Sequence, residues 1–335
     1  MSNTGGFPMT RSAPATEPMP WLVSCPLCRQ PTAAVPSGHD CRLCQRHYPI
    51  VDGIPVLVAD LGSSQHDELE HHHAAHQLDR KLEGHKAAQA DHFDQSVAEE
   101  FEITRPHGTP RLYRFLLQEK FRLATAPIQS QLDGASVLTV CGGSGMDAEF
   151  LAREGARVVA SDLSLGAARR TRERARRYGL DITPIVADVE RLPFPDRTFD
   201  LVLVHDGLHH LERPELGLAE MARVARHWVS VTEPARATIT AVAVRAGVAL
   251  DREEAGNAVA RLGTSEVVDI LRSAGFRPLV AKRYAMYYKH EPGAAFRALS
   301  RWPIFRLVRT SWQVVNKLIG WAGNKMVVVA ERNPR

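Results

Sequence analysis

Cys25, Cys28, Cys41 and Cys44 stand as C-x2-C, a twelve-residue spacer, and a second C-x2-C. Each pair fits one tight turn with both sulfurs aimed at a common point, and two such turns supply four soft thiolates for a tetrahedral structural zinc. Paired disulfides are the alternative, one that a reducing compartment would not maintain. A site closed by four cysteines has no open coordination position, so the metal is expected to fold its own module rather than do chemistry. A second constellation lies further along. A strand over residues 136–140 runs into Cys141, Gly142, Gly143, Ser144 and Gly145, a helix follows, and the next strand ends in Asp162, nineteen residues after Gly143. Glycines let the backbone approach a ligand, a helix start offers free amides, and a carboxylate at that distance can accept from both ribose hydroxyls. A dinucleotide and S-adenosylmethionine both satisfy this opening.

The elements that must position these groups follow from composition and periodicity. The 335 residues are 44% hydrophobic and 24% charged, enough apolar matter for a core and against wholesale disorder. A net charge of +4 is far from the basic excess of a dedicated nucleic-acid binder. Residues 1–20 hold four prolines and no continuous apolar segment, which reads as a disordered tail and not a signal peptide, so a cytoplasmic protein is expected. The apolar stretch 237–250 is too short to span a bilayer and contains Arg245. The cysteine pairs and the strand pattern after them mark residues 21–60 as a small zinc ribbon. Residues 61–125 read as a helical connector or cap. Seven of the fifteen histidines fall between His66 and His92. His72 and His76 stand one turn apart, but so many polar neighbours point to a solvated helix face. Leu112, Phe115, Leu116 and Phe121 form an apolar stripe. From 126 to 335 strands and helices alternate, the mark of an α/β, doubly wound, Rossmann-like sheet.

The third and fourth strands of that domain separate the two ligands. "ITPIVADVERLPFPDRTFDLVLVHDGLHHL" places Asp188 after one strand, a Pro-Phe-Pro-Asp turn, and a further strand ending at His205. An acid after the third strand can accept from the exocyclic amine of adenine, with Val189 against the ring. Here the sequence resembles the class I S-adenosylmethionine-dependent methyltransferases, in their ubiquinone/menaquinone-biosynthesis-like branch. "VLTVCGGSG" stands where that family has its glycine loop, "SDLS" where it has the ribose acid, and "ADVERLPFPDRTFDLV" and "LHHL" where its later motifs fall. "EMARVAR" with "WVSVTEP" matches the next helix and strand, and "NKMVVVAER" looks like the family's last, antiparallel strand. The resemblance covers residues 137–233 strongly and the remainder weakly. It implies a seven-stranded sheet whose last strand is antiparallel, with S-adenosylmethionine held by Cys141, Gly142, Gly143, Ser144, Gly145, Asp162, Leu163, Asp188, Val189 and His205. The cysteine segment resembles the zinc-ribbon proteins that activate some methyltransferases, and the cysteine finger of bacterial guanine-N1 ribosomal RNA methyltransferases. Two positions depart from the family: Thr139 stands where it has an acid, and Cys141 where it has the first glycine. The acid's role would then pass to a neighbour such as Asp147.

Methyl transfer is an in-line displacement governed by positioning, with a base needed for an oxygen or carbon acceptor. The resemblance places that chemistry beyond the carboxyl ends of the fourth and fifth strands. His205, Asp206, His209, His210 and Glu233 are the candidates there, with His205, His209 and Glu233 preferred as catalytic residues. Between Tyr287 and Gly323 lies an aromatic and basic insertion, with Trp302, Phe305, Trp312 and Trp321 among Arg297, Arg301, Arg306, Arg309 and Lys317. It suits an interfacial helix, a lid over a greasy pocket, or a homodimer contact. The expected acceptor is a hydrophobic or conjugated small molecule, with peripheral contact at a membrane surface through 287–323. An RNA methyltransferase is the first rival, because residues 169–177 hold six arginines that can meet phosphates. A non-catalytic binding partner is the second.

Overall fold

The computed structural model describes residues 22–59, 63–64, 86, 90, 94, 99–236, 262–288 and 290–334. The N-terminal tail, the histidine-rich run with His72 and His76, and the apolar stretch 237–250 lie outside the described residues. The centre is a sheet whose strands lie side by side in the order β8 (Ile182–Ala187), β7 (Arg157–Asp162), β6 (Ser136–Val140), β9 (Phe199–His205), β10 (Ala225–Pro234), β12 (Lys325–Arg332) and β11 (Phe276–Tyr284). Strands β6 to β10 pair in parallel, whereas β12 inserts antiparallel between β10 and β11, with Val229 opposite Ala330 and Ala281 opposite Val328. This is the seven-stranded arrangement expected.

Helices cover both faces, so the strands read as apolar runs instead of alternating ones. The alternation survives in where the side chains go. Leu138, Val140, Val202 and Val204 join one core, while Val137, Leu201 and Leu203 join the other. Local chemistry sets the helix ends. Helix Leu165–Tyr178 begins at Ser164, whose hydroxyl accepts from the Ala167 amide at 2.9 Å, and stops at Gly179 in the left-handed conformation. The expected stripe of Leu112, Phe115, Leu116 and Phe121 is buried on helix Arg111–Thr125.

The cysteine finger forms the hairpins of β1 (Ala33–Val35), β2 (Gly38–Cys41), β3 (Arg46–Val51) and β4 (Ile54–Leu57), with the short β5 (Ser63–Ser64) antiparallel to β3. It does not stand apart. Strand β4 adds in parallel to the edge of the central sheet, with Val56 opposite Val186 and Leu57 opposite Ala187. Cys25, Cys41, Tyr48 and Leu57 share one core with Leu138 and Val202. The finger and the sheet thus bury two apolar edges against each other.

Candidate functional site

Four strand ends converge on a cavity of about 360 Å³. Cys141, Gly142 and Gly143 follow β6, Asp162 ends β7, Asp188 and Val189 follow β8, and His205 ends β9 with Asp206 and Gly207 after it. Arg105, Lys120 and Tyr288 line the opposite wall. This is the crevice that a doubly wound sheet opens beyond its carboxyl edge.

The loop after β6 bends sharply. Cys141 has φ +50°, Gly143 +51° and Gly145 +76°. A cysteine in the left-handed region bears a strain that glycine escapes, which is the physical content of the departure seen at this position. A Cβ built on Gly145 would lie 2.7 Å from the Thr171 side chain, whereas one on Gly143 would meet nothing within 4 Å. Gly143 faces open space. Burial, then the negative charges of Asp162 and Glu233, push the pKa of the Cys141 thiol well up, which works against a thiolate there.

Asp162 accepts from the Gly143 amide at 2.8 Å and the Ser164 amide at 3.0 Å, while burial raises its pKa. Two amides leave carboxylate lone pairs over for ligand hydroxyls. Asp188 accepts from the Glu190 amide at 2.9 Å and from Lys86 Nζ. With Leu163 and Val189 also on the wall, this end fits a ribose and an adenine ring. Ser144 is buried, bonded to Glu102 and Arg170, so its side chain supports the loop without lining the cavity. At the far end His205 Nδ1 lies 2.6 Å from Asp147 Oδ1, and its Nε2 is buried with no hydrogen-bond partner. Burial would raise the Asp147 pKa, but His205, Lys120 and Arg105 hold it below the ordinary value. Asp147 lies on the cavity wall, whereas Thr139 is buried and off it.

Asp206, with φ +49°, accepts from Lys120 and Lys325 at 2.8 Å each. Burial works against the Lys120 ammonium, yet Asp206, Tyr288, Asp147 and Tyr284 together outweigh it and keep the pKa well above its usual value. Lys120, Arg105 and Tyr288 are the wall residues that the strand motifs do not signal. For Lys120 a signal exists: it continues the i, i+4 apolar row of Leu112 and Leu116, where an unpaired charge would be costly. His209 and Glu233 are brought together but away from the cavity. His209 Nδ1 is 2.7 Å from Glu233 Oε2, while Glu233 Oε1 accepts from the Gly207 and Leu208 amides at 2.8 Å each. They brace the turn after β9, and His210 lies on the wall.

The cysteines converge as expected. Their sulfurs all lie within 4.8 Å of one another, with 3.5 Å between Cys28 and Cys41 and 3.9 Å between Cys25 and Cys44. Tetrahedral zinc with bonds of about 2.3 Å sets sulfurs roughly 3.8 Å apart, so the four residues fit that ion. Two arginines of the arginine-rich helix, Arg170 and Arg174, turn inward, and the others stay at the surface. Arg174 is fully buried, donating to Ser144 O at 2.7 Å, Arg105 O at 2.8 Å and Glu149 at 2.6 Å. Arg169 pairs with Asp52, Arg176 with Glu173 and Arg177 with Glu100.

Residues 137–227 match the family described as a methyltransferase domain. The chain is 38% identical over 134 residues to the demethylmenaquinone methyltransferase of Corynebacterium urealyticum, covering 39% of this chain and 52% of that protein. It is 31% identical over 161 residues to a ubiquinone/menaquinone biosynthesis C-methyltransferase of Cupriavidus taiwanensis, covering 47% and 63%. The chain thus spans 52% and 63% of the length of these two relatives. Among solved structures, magnesium protoporphyrin IX methyltransferase from Synechocystis with bound S-adenosylhomocysteine aligns at TM-score 0.52 and 15% identity, over 75% of this chain and 100% of its own. Geranyl diphosphate methyltransferase aligns at TM-score 0.52 and 14% identity, over 75% and 100%. These two share its fold.

Proposed function

We propose that this chain, which carries a class I S-adenosylmethionine-dependent methyltransferase domain, methylates a hydrophobic or conjugated small molecule. The observation that carries the reading is the unpartnered, buried Nε2 of His205 on the wall of the same cavity as Asp162 and Asp188. The bound cofactor supplies an electrophilic methyl group on a sulfonium. Asp162 would hold the ribose hydroxyls, Asp188 the adenine amine, and the Cys141–Gly145 loop the methionine portion. Asp147 holds His205 in the tautomer that leaves Nε2 free to accept a proton from an acceptor hydroxyl. The Lys120 ammonium then faces the oxygen that becomes negative. His209 and Glu233 shape the turn that carries His205 and Asp206. The four cysteines hold one structural zinc.

The curated relatives named above act in menaquinone and ubiquinone synthesis, which favours a quinone-like acceptor, drawn from a membrane surface that residues 287–323 would contact. RNA is the lesser reading, because Arg169, Arg174, Arg176 and Arg177 are engaged within the chain. The test is transfer of a radiolabelled methyl group into fractionated lysate. Label in the solvent-extractable fraction is expected; label confined to RNA, or cofactor binding with no transfer to any fraction, overturns the reading.

A further inference from the structure

Helix Ile304–Ile319 has two apolar faces and only one of them is packed. Phe305 and Trp312 set their rings edge-on against Phe115, at centroid distances of 5.9 and 5.6 Å. Trp312 Nε1 donates to Ala285 O at 2.9 Å, and Asn316 Oδ1 accepts from the Ala285 amide at 2.7 Å. On the outer arc, Leu307 is 69% exposed and Leu318 68%, with Trp302 at 59% and Trp321 at 75% beyond the two ends. Ile304, Val314 and Val315 fill the stripe between them and are exposed as well. Nothing within the described residues covers this row.

Its charge chooses the occupant. From residue 292 to residue 330 the chain has no aspartate or glutamate, but it has Arg297, Arg301, Arg306, Arg309, Lys317 and Lys325. Lys325 is paired with Asp206, whereas the other five form no ion pair among the described residues. A second copy set against this face would bring cations against cations, with no acid to match them. A nucleic acid would meet leucine and tryptophan at the centre of the patch. A bilayer meets both parts at once, taking the apolar row into its hydrocarbon boundary and the arginines at its headgroups.

We infer that the outer face of helix Ile304–Ile319, with Trp302 and Trp321, docks on an anionic lipid bilayer. The helix lies in the plane of the interface, since no described helix is long and apolar enough to cross a membrane. The docked surface is tied to the cavity wall. Ala285, held by Trp312 and Asn316, is three residues from Tyr288, and Phe115 shares its helix with Lys120. As a route for an apolar acceptor this rests on the function proposed above, but lipid binding itself does not.

The full chain is sedimented with vesicles of phosphatidylcholine alone and of phosphatidylcholine with phosphatidylglycerol. The expected result is sedimentation with the anionic vesicles, at least tenfold weaker partitioning for a Trp302→Ser, Leu307→Ser, Leu318→Ser variant, and a similar loss for Arg301→Glu with Arg306→Glu. Circular dichroism and S-adenosylhomocysteine binding confirm that the variants are folded. No sedimentation overturns the inference, as does equal binding to both vesicle types. It is also overturned if the apolar variant instead converts a dimer to a monomer in velocity sedimentation, or if RNA displaces the chain from vesicles and binds it tighter. Methyl label found only in RNA sinks the acceptor reading without touching the vesicle result.

Discussion

Leu57, the last residue of the finger's fourth strand, is paired across the sheet edge with Ala187, the residue immediately before Asp188. The same finger reaches the segment after Asp188 twice. Ser24 donates its amide to Pro193 O at 2.9 Å, and Arg29 pairs at 3.1 Å with Glu220, whose other oxygen accepts from the Leu192 amide at 3.0 Å. The finger and the segment that follows Asp188 form one mechanical chain.

Cys41→Ser, or chelation, is therefore expected to lower cofactor affinity as well as to loosen the finger. The expected loss is about tenfold, which corresponds to about 1.4 kcal/mol. Calorimetric titration with S-adenosylhomocysteine, beside metal analysis of the unmodified protein, measures both. Metal near one zinc per chain, with affinity falling on its removal, is expected; unchanged affinity would separate finger from site.

Asp162→Ala removes the acceptor for two ligand hydroxyls and the brace on the Gly143 amide. Hydrogen bonds to a charged group contribute about 1.5–3 kcal/mol, so cofactor binding should weaken by at least tenfold. NADH should not bind to either form, which calorimetry checks directly.

His205→Gln should leave cofactor binding in place and lower the transfer rate by on the order of 10²-fold or more, the usual worth of a positioned proton acceptor. Asp147→Asn should act through the histidine, reducing the rate less and changing its pH profile. If both variants bind cofactor and transfer at the original rate across pH, His205 is not the proton acceptor.

Cys141 and Gly207 are coupled by contact. A Cβ on Gly207 would lie 2.4 Å from the Cβ of Cys141, so Gly207→Ala alone should destabilise by about 2 kcal/mol or more through overpacking. Cys141→Gly exchanges left-handed strain for backbone entropy and should be nearly neutral. The double variant should recover at least about 1 kcal/mol of the Gly207→Ala loss. Thermal melts of the four proteins close the cycle.

Glu102 sets an acid limit. Burial alone would raise its pKa, but the hydrogen bond and charge of His290 and the charges of Arg105 and Arg170 hold it at about 2, below its ordinary 4.5. A depressed carboxylate contributes stability that is fully present above about 4.5 and is lost as pH falls toward 2. The contribution is roughly 3 kcal/mol. Acid unfolding of Glu102→Gln should be flatter over that window than that of the wild type; a parallel curve would deny Glu102 this role.

What could be read from the chain is what neighbours along it dictate. Alternation of apolar runs with helical stripes marks a doubly wound sheet, and glycines and an aspartate at set offsets mark the nucleotide end of the cavity. Two C-x2-C turns bring four sulfurs together because each pair needs only local geometry. The rest depends on distance closed by folding. Residues 22–58 carry no mark of which strand their apolar edge will join, and β4 met β8 because both edges needed partners. The arginines of 169–177 are identical in kind along the sequence, yet burial beside Glu149 makes Arg174 a brace and leaves Arg176 at the surface. His205, His209 and Glu233 all lie near strand ends, but which nitrogen faces the cavity is set by partners far along the chain: Asp147 leaves His205 Nε2 open, while the Gly207 and Leu208 amides turn Glu233, and with it His209, inward. Lys120 became a wall residue only when its helix crossed the end of β9, where Asp206 makes a buried ammonium tolerable.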